Sequence, residues 1–185
     1  KLRAKPASQT PSSQKPGDCL KAILKVSNTD VKYYPYSALK DIFKKLEPEN
    51  IASYDMELVR AVREEDVQRL EVMKGSGRTL HAGNKFGETI LHTACRRGST
   101  LVVSTLLRAG ALVQVCCDYG RTPLHDACWT IEPNFEVIDM LLDECPDCLY
   151  ITDKRGSAPL DYIPVEHFKA WCTYLNGRGA DRLQP

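Results

Sequence analysis

The chain has 185 residues, enough for one domain of ordinary size to bury a core without staples, and its 25 Lys+Arg against 24 Asp+Glu leave a formal charge of +1. No global field therefore draws it to nucleic acid or to an anionic membrane, so nucleic acid is an unlikely partner and any basic signal is local. Its apolar runs fall short of the ~20 residues that a spanning helix needs, and eight cysteines over this length are too sparse for the dense frame of a small secreted protein.

Residues 1–17 are rich in Pro, Ser, Gln and Thr, carry Lys1, Arg3, Lys5 and Lys15 without an acid, and have little to bury. Such a composition predicts a disordered basic tail, at most a faint nuclear or nucleic-acid signal. Residues 18–50 read as a helical extension. Within it, "SALKDIFKKLEP" from Ser37 to Pro48 puts Leu39, Ile42, Phe43 and Leu46 on one helical face, with Ser37 as cap and Pro48 as stop. That apolar stripe is expected to cover the open end of the segment that follows.

From Ile51 onward the chain repeats itself. "FGETILHTAC" (Phe86–Cys95) aligns without a gap on "YGRTPLHDAC" (Tyr119–Cys128), each matched pair 33 residues apart. One step back lies a weaker copy with Leu58, Ala61 and Val62, where Val59 takes the place of the histidine. One step forward, Gly156, Pro159 and Leu160 recur after three additional residues. The copies divide as 51–83, 84–116, 117–152 and 153–175, followed by a polar tail, 176–185. Gly87, Gly120 and Gly156 stand where a tight turn demands positive φ. Thr89 and Thr122 precede apolar helical runs as N-caps, and Pro123 takes the first helical position, where its missing N–H costs nothing. Each copy thus reads as turn, short helix, turn, longer helix, and one such pair cannot bury both of its apolar faces without a stacked neighbour.

The period and the Thr-Pro-Leu-His-x-Ala string resemble the ankyrin repeat. The resemblance runs over about Ile51 to Leu175 and implies an all-α fold, an ankyrin-type α-solenoid of stacked helix-turn-helix pairs joined by β-hairpin-like turns. It also implies that His92 and His125 hydrogen-bond to Thr89 and Thr122 and to backbone near the turns. By the same resemblance a protein partner binds the concave side, built from turn tips and first helices. The tips supply Lys85, Phe86 and Glu88, then Asp118, Tyr119 and Arg121, then Lys154 and Arg155. The first helices add Arg60, Arg63, Thr93, Arg96, Arg97, Asp126, Trp129 and Thr130. Trp, Tyr and Arg are the types that dominate binding energies, and the arginines favour a partner segment of acidic or phosphorylated character.

The third copy departs from the pattern through an insertion, "WTIEPNFE" (Trp129–Glu136), and through "CPDC" (Cys145–Cys148) in place of a capping glycine. A competing reading follows: a thiol enzyme, or a metal or redox site, using Cys145 and Cys148 or the neighbours Cys128 and His125. Against it, His92 repeats His125 with Thr93 where Asp126 would be, and no second CxxC or HxxxH accompanies the first. There is no Gly-rich phosphate loop, paired-carboxylate arrangement or GxSxG elbow. The expectation is a monomeric, non-enzymatic adaptor or regulatory module without cofactor or metal. The cysteine pattern, with Cys95 and Cys128 in matching apolar contexts, suggests reduced thiols and an intracellular setting, cytoplasmic or nuclear.

Overall fold

The computed structural model describes residues 14–27, 29–39, 43–179 and 183–184. The tail expected to be disordered lies mostly outside them, as does Ile42. The chain forms α1 (Pro16–Val26), β1 (Tyr34–Pro35), α2 (Pro48–Ala52), α3 (Met56–Arg63), α4 (Val67–Gly75), α5 (Ile90–Arg97), α6 (Thr100–Arg108), α7 (Pro123–Cys128), α8 (Phe135–Glu144), β2 (Ile151–Thr152) and α9 (Phe168–Arg178). Among the described residues no helix is long and apolar enough to cross a membrane.

The repeating sequence becomes repeating structure. First helices α3, α5 and α7 pack in succession, and the 3-10 turn Pro159–Tyr162 continues their row. Second helices α4, α6 and α8 form a row behind them. Leu58, Leu91 and Leu124 occupy the same place in successive copies and are fully buried, each worth roughly 2 kcal/mol of transfer energy. One apolar cluster runs through the stack from Leu58 to Leu175. Each first helix starts on a polar cap: Asp55 accepts the Leu58 N–H at 2.9 Å in α3, and Thr89 and Thr122 form capping boxes with His92 and His125 in α5 and α7. Pro123 opens α7.

The turns between copies share one closure. Asn84 N–H donates to Glu88 O, Cys117 N–H to Arg121 O and Asp153 N–H to Ser157 O, all at 2.9 Å. Gly87, Gly120 and Gly156 follow the bend at φ 77°, 78° and 80°.

The extension differs from its expectation. No helix spans Ser37–Pro48: Tyr36–Leu39 is a 3-10 turn, the residues from Lys44 to Glu47 lie outside any helix, and Pro48 begins α2 instead of ending a helix. The physical reason is that neighbours claim the groups that a helix would use. Lys44 N–H donates to Gln114 O at 2.9 Å, Leu46 sits against Gly83, and the Asn50 side chain caps Glu47 N–H at 2.8 Å, for which proline at the first helical position is well suited. Of that stripe, Phe43 and Leu46 are the described side chains, and they lie beside the arms, Leu46 against Gly83 at the close of the first copy. Helix α1, part of which was expected in the disordered tail, packs on α9 at the far end of the stack and buries Cys19, Leu20 and Leu24. From there β1 pairs in parallel with β2, Tyr34 opposite Ile151, and Tyr36 covers Gly120. The described parts of residues 27–47 thus form a strap that returns from the last copy to the first along the arms leading into the turns.

Two further findings concern the ends. Cys19 and Cys172 are joined in a disulfide with Cα atoms 5.8 Å apart, which corrects the expectation of thiols reduced throughout; Cys95, Cys116, Cys117, Cys128, Cys145 and Cys148 are free. The burial of both partners' helices against each other brings these distant residues together. In the C-terminal segment Leu183 is buried, its carbonyl accepting the Tyr150 hydroxyl, and Arg178 bridges Asp139 and Asp143.

The turn geometry separates two glycines of similar φ. A methyl group on Gly87 would lie 2.8 Å from the Cys116 carbonyl oxygen, whereas Gly110, at φ 86°, has nothing within 4 Å. Gly110→Ala therefore loses about 1 kcal/mol from backbone strain alone, and Gly87→Ala loses at least twice that, because the backbone it strikes cannot retreat. Urea denaturation of both variants measures the difference.

Candidate partner-binding surface

The turn tips are linked to one another. Asp118 N–H donates to Phe86 O at 2.8 Å, and Lys154 N–H donates to Tyr119 O at 2.9 Å, so the tips of the second, third and fourth copies form one continuous hydrogen-bonded row. This row leaves the Phe86 and Tyr119 side chains 54% and 64% exposed. Each ring carries a cation: Lys85 Nζ stands 5.1 Å from the Phe86 centroid, and the Arg121 guanidinium 5.8 Å from that of Tyr119. Lys154 and Arg155 are exposed at the last tip.

Below the tips, the first helices present Arg60, held by Glu64 at 2.7 Å, with Arg63 and Arg97 exposed. Thr93 is half-buried. Arg96 reaches both Glu88 (2.6 Å) and Asp126 (2.8 Å). Trp129 is 52% exposed and leans on Tyr162 with 6.2 Å between centroids.

Two expected contact residues are corrected. Asp126 is 1% exposed, a buried carboxylate that the Arg96 guanidinium covers from the preceding copy while Arg121 stands 3.9 Å away. Thr130 is also buried, its hydroxyl donating to Ala127 O at 3.4 Å. Asp126 leaves a partner nothing to touch in this arrangement, and Thr130 offers only its edge to the cavity beside Arg97. Asp126 instead fixes the arginine beside it, since a charge taken from water persists only when paired.

The insertion supplies surface residues that helical periodicity did not single out. Ile131 is 91% exposed although its loop is pinned: its carbonyl meets His167 Nε2 at 2.6 Å, and Asn134 Nδ2 donates to Gly98 O and to Thr100 Oγ1. Ile131 and Pro133 face Arg96 and Arg97 across an open cavity of about 590 Å³. The signal was present in the sequence as an extra segment interrupting the period, but spacing alone says nothing about which way such a segment faces.

Behind this surface the two histidines act identically. Thr89 N–H donates to His92 Nδ1 at 3.1 Å, so Nδ1 carries no proton and Nε2 donates, to Arg121 O in the next copy at 3.0 Å. His125 repeats this, accepting from Thr122 N–H at 3.0 Å and donating to Ser157 O at 3.2 Å. Burial lowers the pKa of both, that of His125 from 6.5 to about 4.

Over residues 58–154, more than half of the chain, the sequence matches the family described as ankyrin repeats (3 copies). The chain belongs to the ankyrin-repeat family. It is also 39% identical over 77 residues to human BCL-6 corepressor-like protein 1; the match takes in 42% of this chain and spans about 4% of that protein's length. Ankyrin repeats are protein–protein interaction modules, and the stack described here is all-α apart from the two-residue pairing of β1 with β2.

The thiols of this ankyrin stack are placed for packing. Cys95 and Cys128 are fully buried where successive first helices meet, and burial pushes both thiols far above their ordinary range. A hydrogen bond from Cys148 brings Cys145 down to about 7, yet both lie in the core where α8 ends, and Gln114 covers Cys145 at 3.9 Å. His125 has both ring nitrogens engaged, so it offers Cys128 no free base. Among the described residues no three His, Cys, Asp or Glu side chains converge to hold a metal ion.

The histidine geometry sets a pH dependence. The unfolded chain takes up a proton near pH 6.5 that the folded His125 refuses until about pH 4. Its contribution is therefore complete above the unfolded value and is lost as pH falls through that window, on the order of 3 kcal/mol in total. His92 adds in the same direction. Urea titrations at intervals from pH 7 to 4.5 are expected to show the decline, with a shallower slope in His125→Gln.

Proposed function

We propose that this stack is a non-enzymatic adaptor or regulatory module that grips an acidic or phosphorylated protein segment along its tips and first helices. The observation that supports it most is the row of exposed rings, Phe86, Tyr119 and Trp129, set among cations whose charge is unspent. Arg63, Arg97, Lys154 and Arg155 are exposed and have no ion-pair partner among the described residues. Aromatic side chains with two torsions lose little entropy on binding, and guanidinium groups match carboxylate and phosphate geometry in pairs. The hydrogen-bonded tip row preorganises these groups, which lowers the cost of association.

Within this proposal Lys85, Phe86, Glu88, Arg97, Tyr119, Trp129, Lys154 and Arg155 contact the partner, joined by Asp118 at the rim. Arg96 and Arg121 stand behind them, pinned by Asp126. An intracellular setting belongs to the same reading, a nuclear one in particular finding support in a relative named as corepressor-like.

Arg97→Glu and Trp129→Ala test the surface, because Arg97 has no ion pair among the described residues and Trp129, half exposed, makes its ring contact with the half-buried Tyr162. Affinity capture from cell lysate with quantitative mass spectrometry is expected to show at least a tenfold loss of the same discrete partner in both variants, with thermal unfolding unchanged within about 1 °C. Capture that both variants leave intact counts against this surface. Reversal of Arg96 would be a poor test, since it strips Asp126 of its closest cation and destabilises the fold.

A further inference from the structure

We infer that the Cys19–Cys172 disulfide is a reversible latch: intact, it keeps α1 and the strap seated on the stack, and its cleavage by a small-thiol reductant lets them leave. The strap is held by little else. The fully buried side chains of the segment, Pro16, Cys19, Leu20 and Leu24, all belong to α1; in the strap itself Val31, Tyr33, Tyr34, Tyr36 and Phe43 are partly buried. It is attached further by the two-residue pairing of β1 with β2, the Lys44–Gln114 bond, the Tyr33 ring 6.1 Å from that of Tyr150, and Tyr36 and Leu46 resting on Gly120 and Gly83. Two fully buried leucines and a set of half-buried side chains are small against the conformational entropy of about thirty ordered residues, so α1 belongs to the least stable part of the fold unless it is tethered. The disulfide supplies that tether across 153 residues of sequence, joining the start of the chain to its final helix.

The bond is also reachable. Cys19 is buried, but Cys172 is partly exposed, whereas Cys95, Cys117, Cys128, Cys145 and Cys148 are all buried in the stack. An external thiolate attacks Cys172 Sγ, the S–S bond breaks, and Cys19 departs as a thiolate and takes a proton. A second thiolate attacks the external sulfur of the mixed disulfide and frees Cys172, so two reductant thiols become one disulfide and the protein pair gains two electrons and two protons. Once α1 lifts, the backbone edge at Ile151–Thr152 and the flank of the Gly120 turn are uncovered, and the redox state decides whether they are open.

Hydrogen–deuterium exchange with mass spectrometry on the full 185-residue chain, oxidised and then reduced with dithiothreitol, reads this directly. Peptides covering 16–36 are expected to exchange at least tenfold faster after reduction, while α5 and α7 are unchanged. Cys172→Ser under oxidising conditions is expected to match the reduced wild type; should that variant fail to fold, the wild-type comparison decides alone. Equal exchange in both states overturns the latch. So does acceleration that extends through α5 and α7, which would make the bond a staple of the whole fold. So does an unreduced proteolytic digest that lacks the Cys19–Cys172 linked peptide.

Discussion

The stack depends on a neutral imidazole spanning two copies. In His92 and again in His125, one ring nitrogen accepts the N–H that opens its own helix and the other donates to a carbonyl in the turn of the next copy, Arg121 O or Ser157 O. A helix start leaves orphan donors, and a turn that must lie close to its neighbour leaves a carbonyl facing inward; one ring satisfies both. This geometry fixes the distance between copies and so the alignment of Phe86 O with Asp118 N–H, and of Tyr119 O with Lys154 N–H, in the tip row. It also explains why the pairing of His125 with an adjacent acid and thiol has no reactive meaning. The acid is turned toward Arg96, the thiol is buried between first helices, and the ring is fully engaged.

A solenoid has two ends, and each exposes a face that an interior copy would bury. At the C-terminal end the fourth copy loses its cap: Ala158 replaces threonine, Asp161 replaces histidine, and the first helix shrinks to a 3-10 turn. The Asp161 carboxylate still accepts the Ala158 N–H at 2.8 Å, so the local bond of the capping box survives, but the reach to a further copy is gone. Trp171 of α9 packs edge-on against Phe135 of α8, and α9 is in turn packed by α1, which comes from the opposite end of the sequence. The strap that delivers it crosses the arms on its way, tying the first, second and third copies together.

What could be read from sequence follows from what repeats. Thr89, His92, Gly87 and their counterparts 33 residues on declare themselves because each solves the same local problem twice, and the fold follows from them. The strap has no such redundancy. Leu39, Ile42, Phe43 and Leu46 have helical spacing, yet Phe43 and Leu46 are set by contacts with Gly83 and with the arm near Gln114, partners far along the chain that no local window contains. The same limit hid the Cys19–Cys172 pairing, since 153 residues separate two cysteines whose helices meet only when the solenoid is complete. On the candidate surface, Asp126 reads as exposed when it is taken one helix at a time; Arg96 of the preceding copy covers it.

That contrast between Arg96 and its neighbour shows how the same residue type divides into scaffold and surface. Arg96 points along the stack, where Glu88 and Asp126 consume its donors, and its guanidinium shields a carboxylate that would otherwise be costly to bury. Arg97 is one position on, rotated about 100° around the helix, and faces the cavity beside Ile131 and Pro133. The insertion that carries these two apolar residues lengthens the third copy without disturbing the row behind it, because Asn134 caps α8 and simultaneously bonds back to Gly98 O and Thr100. A loop anchored so firmly while showing Ile131 to solvent is preorganised to place apolar surface next to an uncommitted cation. That combination suits a partner chain alternating acidic and apolar side chains better than it suits a small ligand, which an open cavity of this kind would leave largely wet.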